Sequence, residues 1–150
     1  MNNRIIEHLN NRTFELLNDW TFEFSFFMKD KKYDLEERLI DYAVEIIYFV
    51  ESLPNSKAAS HLGGQLLRSG TSPSLNYGEA KSAESKNDFL HKMKVCLKEL
   101  RESYNCLRIM NRAKIYKSEQ KIIELITESN ELISIFVKSI ETATKSKKTF

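Results

Sequence analysis

The chain has 150 residues, with 23 Lys or Arg against 21 Asp or Glu, and it contains only four Gly and two Pro. This length suits a single domain with a substantial core, and so little Gly and Pro excludes a turn-rich β fold. No apolar run approaches the ~20 residues that cross a bilayer, and the polar start MNNRIIEHLNN is not that of a signal peptide. We therefore expect an all-α, cytoplasmic protein without a membrane partner.

Residues 1–33 form an N-terminal extension. Its first part has apolar residues at helical spacing, which predict a short amphipathic helix: Ile5, Leu9, Leu16 and Trp20. Phe22, Phe24 and Phe26 then alternate with polar residues, as in a strand. Two interpretations stay open. The segment is a genuine extension that folds across the domain or docks on a neighbour, or Met28 is the natural start of the protein.

A first main helix is predicted over residues 34–53, with Asp34 as a candidate N-cap and Pro54 ending it. Its apolar residues are spaced 4, 3, 4, 3, 4, the pattern of a core-facing seam: Leu35, Leu39, Tyr42, Ile46, Phe49 and Leu53. A second row on the same helix is acidic: Asp34, Glu37, Asp41 and Glu45. Twenty residues make a rod of ~30 Å, the usual length in a four-helix bundle.

The second helix, predicted over 56–81, carries a proline in its middle. Its seam is apolar in the first half and small or polar in the second: Ala59, Leu62, Leu66, Ser69, Pro73, Asn76 and Ala80. Pro73 removes one backbone hydrogen bond and crowds the carbonyl of Ser69, and nearby hydroxyls can meet exposed carbonyls. The pattern predicts a kinked helix held by a buried polar cluster that includes Ser72 and Asn76.

A third helix, predicted over 86–113, has the most regular pattern. Its seam is Leu90, Met93, Leu97, Leu100, Tyr104 and Leu107, widened by Phe89, Cys96 and Met110. A parallel row, in which Asn105 is the only uncharged member, is otherwise cationic: Lys94, Lys98, Arg101, Arg108 and Arg112. Residues 81–115 accordingly hold nine cations and four anions, whereas 34–80 hold three cations and seven anions. One interpretation of the row is an ordinary solvated helix face.

The fourth helix is predicted over 118–143, with Ser118 as its cap and 144–150 as a flexible basic tail. Its seam is Ile122, Ile126, Ser129, Ile133, Phe136 and Ile140. Further apolar residues flank the seam, more than three neighbours usually cover, which favours self-association through this helix. Short connections between the four helices predict an antiparallel up-down-up-down four-helix bundle over 34–143.

No catalytic, metal or cofactor site is expected. Cys96 and Cys106 point to different faces of one helix and have no metal-ligand spacing, so they are expected to be packing thiols in a reducing cytoplasm. His91 has no partner at metal-ligand spacing, and Ser69, Thr71 and Ser72 have no activating base nearby. The protein is therefore predicted not to be an enzyme.

The second and third helices resemble those of a family of small bacterial proteins. The resemblance lies in Gln65-Leu66-Leu67-Arg68-Ser69-Gly70-Thr71-Ser72, Asn76 and Glu79-Ala80, and in Glu84-Ser85-Lys86, Asp88-Phe89, His91-Lys92-Met93 and Leu97-Lys98-Glu99. These residues are similar to those of the proteins encoded inside intervening sequences of 23S rRNA genes, which are related to the accessory variability protein of diversity-generating retroelements. The resemblance implies a four-helix bundle that assembles into a homopentamer, and a family-motif polar cluster of Gln65, Arg68, Ser72, Asn76 and Glu79.

Two functions remain open. In the first, the protein is a non-catalytic oligomer that binds RNA or DNA through the cationic row on the third helix. In the second, it is a structural oligomer or protein scaffold whose row is neutralised by the acidic face of the first helix. For the oligomer itself, a dimer through the fourth helix is the alternative to a pentamer.

Overall fold

The structure is a computed structural model, and it describes residues 34–146. Four helices account for most of this part of the chain: α1 (Leu35–Glu51), α2 (Lys57–Lys81), α3 (Lys86–Arg112) and α4 (Glu119–Lys145). Each begins after a side-chain oxygen that accepts a backbone N–H of the first turn, from Asp34, Ser56, Ser85 and Ser118. The predicted helix limits agree within two residues. The predictions for 1–33 and for 147–150 lie outside the described residues, and the predicted tail begins inside α4.

Consecutive helices run antiparallel, as predicted. Ion pairs and close contacts give the direction of each pair. Lys81 of α2 pairs with Glu36 at the start of α1, whereas Gly63 near the start of α2 lies against Leu53, beyond the end of α1. Lys121 at the start of α4 pairs with Glu45 in the second half of α1, whereas Arg38 near the start of α1 pairs with Glu128 further along α4, so these two helices are also antiparallel. Since α1 also packs on α4, the four helices close into an up-down-up-down bundle.

The core contains one buried row from each helix. On α1 the row matches the prediction, with Leu53 partly buried. On α3 the central positions are Phe89, Met93, Cys96, Leu100, Ser103, Leu107 and Met110. The predicted seam residues Leu90 and Tyr104 are only partly buried, because α3 turns its neighbouring row toward the bundle axis. On α4 the buried row is Ile122, Leu125, Ser129, Leu132, Phe136, Ser139 and Ala143, so Ile126, Ile133 and Ile140 lie at its edge.

Helix α2 continues through Pro73, which is fully buried. The predicted hydrogen bonds from side-chain hydroxyls to backbone carbonyls are present. Ser69 donates to the Gln65 carbonyl at 2.9 Å, and Thr71 donates to the Leu67 carbonyl at 2.8 Å. The predicted burial of Asn76 is wrong. The core position there belongs to Tyr77, and Asn76 is half-buried. Asn76 Nδ2 donates back to Ser72 O at 3.0 Å and Ser72 Oγ at 2.9 Å, so it needs no partner from another helix.

Hydroxyl groups join the helices inside the core. Ser69 of α2 and Ser103 of α3 are both fully buried, with their oxygens 3.1 Å apart. The Tyr42 hydroxyl lies 2.7 Å from Ser129 Oγ. Ser129 already donates to its own helix at the Leu125 carbonyl, so Tyr42 is the donor of this pair. These pairs place small side chains at the bundle centre and satisfy their polar atoms.

The α3–α4 connection contains a left-handed residue. Lys114 has a φ of 57°, and Ile115 N–H bonds to the Met110 carbonyl at 2.9 Å, as in a Schellman ending. Glycine usually occupies this position because a Cβ is unfavourable there.

Candidate nucleic-acid interface

The cationic row is exposed along the outer side of α3. Its five cations, Lys94, Lys98, Arg101, Arg108 and Arg112, are all exposed, because the buried row of α3 lies on the opposite side. They span 19 residues, so the first and the last lie ~27 Å apart along the helix at 1.5 Å rise per residue. The structure therefore brings together all five residues predicted for nucleic-acid binding.

None of these five cations forms an ion pair within residues 34–146. Arg108 makes two weak contacts with uncharged side chains. Its guanidinium lies 5.3 Å from the Tyr104 ring centre, and it donates to Asn105 Oδ1 at 3.5 Å. Because no carboxylate within this part of the chain is paired with them, the five cations are free to contact an anionic partner.

The α2 side of the row contains carboxylates, but these are already paired. Glu99 and Glu102 of α3 both bind Arg68 of α2, and Glu79 of α2 binds Lys92. Glu99 is buried beneath Arg68. The carboxylates nearest the row are therefore directed toward α2 rather than toward the exposed cations.

The outer face of α4 contains a short neutral row. Glu128 and Glu131 bind Arg38 of α1, which identifies the α1-facing edge of α4. Away from that edge, four exposed positions of α4 are neutral: Ile123, Thr127, Asn130 and Ser134. Exposed carboxylates follow beyond both ends of this row, at Glu119 and Glu141.

The family-motif polar cluster lies at the surface between α2 and α3. Gln65, Arg68 and Glu79 are exposed, and Ser72 and Asn76 are half-buried. The Arg68 guanidinium donates to Gln65 Oε1 at 3.2 Å as well as to the two glutamates of α3. The ion pairs of Arg68 and Glu79 hold α2 against α3 at the surface. Ser72 and Asn76 bond to each other within α2 and are not the buried cluster that the sequence predicted.

The carboxylates of the acidic row of α1 do not all have the same kind of partner. Asp34 caps the helix by accepting from Glu36 N–H at 3.1 Å, and Glu45 binds Lys121 of α4. Glu37 and Asp41 are exposed and form no ion pair within the described part of the chain. No carboxylate of α1 is paired with a cation of α3 within the protomer.

The two thiols are buried. Burial raises the pKa of the Cys96 thiol to about 12 and that of the Cys106 thiol to about 11. Cys96 lies 3.5 Å from the Pro73 carbonyl, and Cys106 lies 3.3 Å from the Leu62 carbonyl. Both therefore stay protonated at neutral pH, and a protonated thiol is a poor nucleophile and metal ligand.

Within residues 34–146, no group of His, Cys, Asp and Glu side chains is placed to hold a metal ion. No helix in the same range combines the length and apolar content that would let it cross a membrane.

Comparison with known proteins agrees with this fold. The family model for 23S rRNA-intervening sequence proteins matches residues 31–138. A solved structure from Bacteroides thetaiotaomicron, described as a protein of unknown function from the S23 ribosomal protein family, is 28% identical with a TM-score of 0.66. The alignment covers 72% of this chain and 99% of the chain of that structure. No curated protein matches the chain. The match over most of its length shows that this chain belongs to the 23S rRNA-intervening sequence protein family.

Proposed function

We propose that this protein is a non-catalytic, cytoplasmic oligomer that binds RNA or DNA through the cationic row of α3. The observation that carries the proposal is the set of five exposed cations without an ion pair in the described part of the chain. Lys and Arg rows of this kind bind phosphates without reading base sequence.

Self-association would multiply this surface. The chain carries a formal net charge of only +2, which gives a single protomer little long-range attraction for nucleic acid. A homopentamer, which the family resemblance implies, would carry five cationic rows. A contact between unlike faces of neighbouring protomers closes into such a ring.

The second candidate is a structural oligomer or protein scaffold that binds no nucleic acid. The unpaired carboxylates of α1 are the observation that favours it. Inside the protomer, α1 directs Glu36 to α2 and Glu45 to α4. In this alternative, α1 of one copy would therefore neutralise the α3 row of its neighbour.

Binding measured across salt concentrations distinguishes the two. Fluorescence anisotropy with a short labelled RNA and a DNA duplex should give an affinity that falls from about 50 to 200 mM salt. Five phosphate contacts per protomer correspond to a logarithmic slope of roughly −3.5 to −4.5. Reversing Lys98 and Arg101 to Glu should flatten that slope by roughly 1.4–1.8, since two contacts are lost.

The matched control reverses Lys57 and Lys145 to Glu, which changes the net charge equally at exposed positions outside the row. This control should leave the slope nearly unchanged. Light scattering on the same samples reports the oligomer. If neither nucleic acid binds at low salt, and the Lys98 and Arg101 reversals dissociate the oligomer, the scaffold function is correct and the nucleic-acid proposal is refuted.

A further inference from the structure

An apolar surface remains uncovered on the side of the bundle opposite α3 and α4. Ile40, Val44 and Ile47 of α1 are 42%, 39% and 40% exposed, and Leu75 of α2 is 70% exposed. The three α1 residues are spaced four and three apart, so they form one row along the outer side of that helix. The apolar excess expected on α4 is smaller, because Ile123 is the one large apolar residue of α4 among the exposed ones in the described chain.

Leu75 of α2 is exposed at a matching height along the bundle. Gly70 of α2 lies against Ile46, and Lys81 binds Glu36, which fixes the register of α2 beside α1. That register places Leu75 level with the Ile40 end of the row. We call these four residues, Ile40, Val44, Ile47 and Leu75, the α1–α2 face.

We propose that residues 1–33 of the same chain cover the α1–α2 face. This segment contains thirteen Ile, Leu, Met, Phe and Trp residues, including five of the nine Phe of the protein, and has equal numbers of cations and anions. It joins the bundle at Asp34, directly before α1. The face and the segment therefore adjoin each other at one end of the same helix.

The comparisons show that the segment is additional to the bundle. The family match begins at residue 31, and the Bacteroides structure is covered over 99% of its length by 72% of this chain. An apolar addition to a complete bundle needs a surface on which to bury its side chains, since their burial is its main source of stability. The row from Ile40 to Ile47 extends only ~10 Å along α1, well within reach of 33 residues.

Charge favours the same arrangement. Lys29, Lys31 and Lys32 directly precede α1, where Glu37 and Asp41 are exposed without an ion pair in the described chain. A segment that turns back along α1 brings these opposite charges together. A second copy packed through the same face would instead bring like carboxylates toward one another, which is unfavourable.

The only Trp of the protein, Trp20, lies in the segment and reports on it directly. In the full chain, we expect its fluorescence to be blue-shifted and protected from acrylamide relative to the urea-unfolded protein. The substitutions Ile40→Asp and Ile47→Asp together should shift the emission to longer wavelength and raise quenching to the unfolded value. The control Ile109→Asp, at an exposed apolar position of α3, should leave both unchanged, while circular dichroism confirms that each variant is folded.

Dilution distinguishes the proposed occupant from a neighbouring copy. If each chain covers its own face, Trp20 emission stays constant while light scattering follows dissociation of any oligomer. An emission that shifts in step with dissociation would mean that a neighbour covers the face and would refute the proposal. The proposal would also be refuted if acrylamide quenched Trp20 of the native protein as strongly as in urea. It would equally be refuted if the variant with Ile40→Asp and Ile47→Asp gave the same emission and quenching as the Ile109→Asp control. None of these readouts depends on nucleic-acid binding.

Discussion

Gly70 of α2 packs directly against Ile46 of α1, and its replacement by Ala tests the packing of the bundle. A Cβ at this position would lie 2.9 Å from both Cγ1 and Cγ2 of Ile46 and 3.2 Å from its Cβ. Ile46 is fully buried and cannot move aside without displacing the core. Gly64, in the same helix, provides a matched control, because a Cβ there would meet no atom within 4 Å.

Two effects determine the size of the change. Ala is favoured over Gly inside a helix by about 1 kcal/mol, and both variants gain this amount. Overpacking of a core costs about 1–3 kcal/mol, and only Gly70→Ala incurs this cost. Because the helix gain cancels between the two variants, Gly70→Ala should be less stable than Gly64→Ala by about 1–3 kcal/mol.

Urea unfolding followed by far-UV circular dichroism, at one fixed protomer concentration, measures this difference. A double-mutant cycle then identifies the contact. Ile46→Ala removes both Cγ atoms, so Gly70→Ala should cost less in that background than in the native chain. Equal stability of the Gly70 and Gly64 variants, or a cycle without coupling, would show that α1 does not approach α2 closely at this point.

Three further predictions concern polar groups and one loop. Tyr42→Phe should lower the free energy of unfolding by about 1 kcal/mol, measured by urea unfolding, because it removes the hydrogen bond to Ser129. Burial raises the pKa of both Cys96 and Cys106 above the ordinary value of 9.0, so their contribution to stability is complete below pH 9 and is lost as pH rises toward 12. Replacing both Cys by Ala should therefore reduce the fall in melting temperature over this range. Lys114→Gly should raise the melting temperature, because Lys114 occupies a left-handed conformation.

The elements that the sequence predicted well are those controlled by local chemistry. Ser118 was predicted as a cap and accepts from Lys121 N–H, and a similar bond from Asp34 begins α1. The exposure of the cationic row followed from its angle to the apolar positions of α3. The surface position of Asn76 did not, because the predicted seam continued from Pro73 to Asn76, whereas packing in the bundle buries the next residue, Tyr77.

The sequence by itself determined four helices, their order and their approximate limits, because capping, helix breaking and helical periodicity all act within a few residues. Only the tertiary structure decided which of two adjacent apolar rows is buried. On α3 and α4 two such rows lie about 100° apart on the helix surface, and contact with neighbouring helices selects Phe89 over Leu90 and Leu125 over Ile126. The same packing left the α1–α2 face exposed among the described residues, since that surface arises only where separate helices meet.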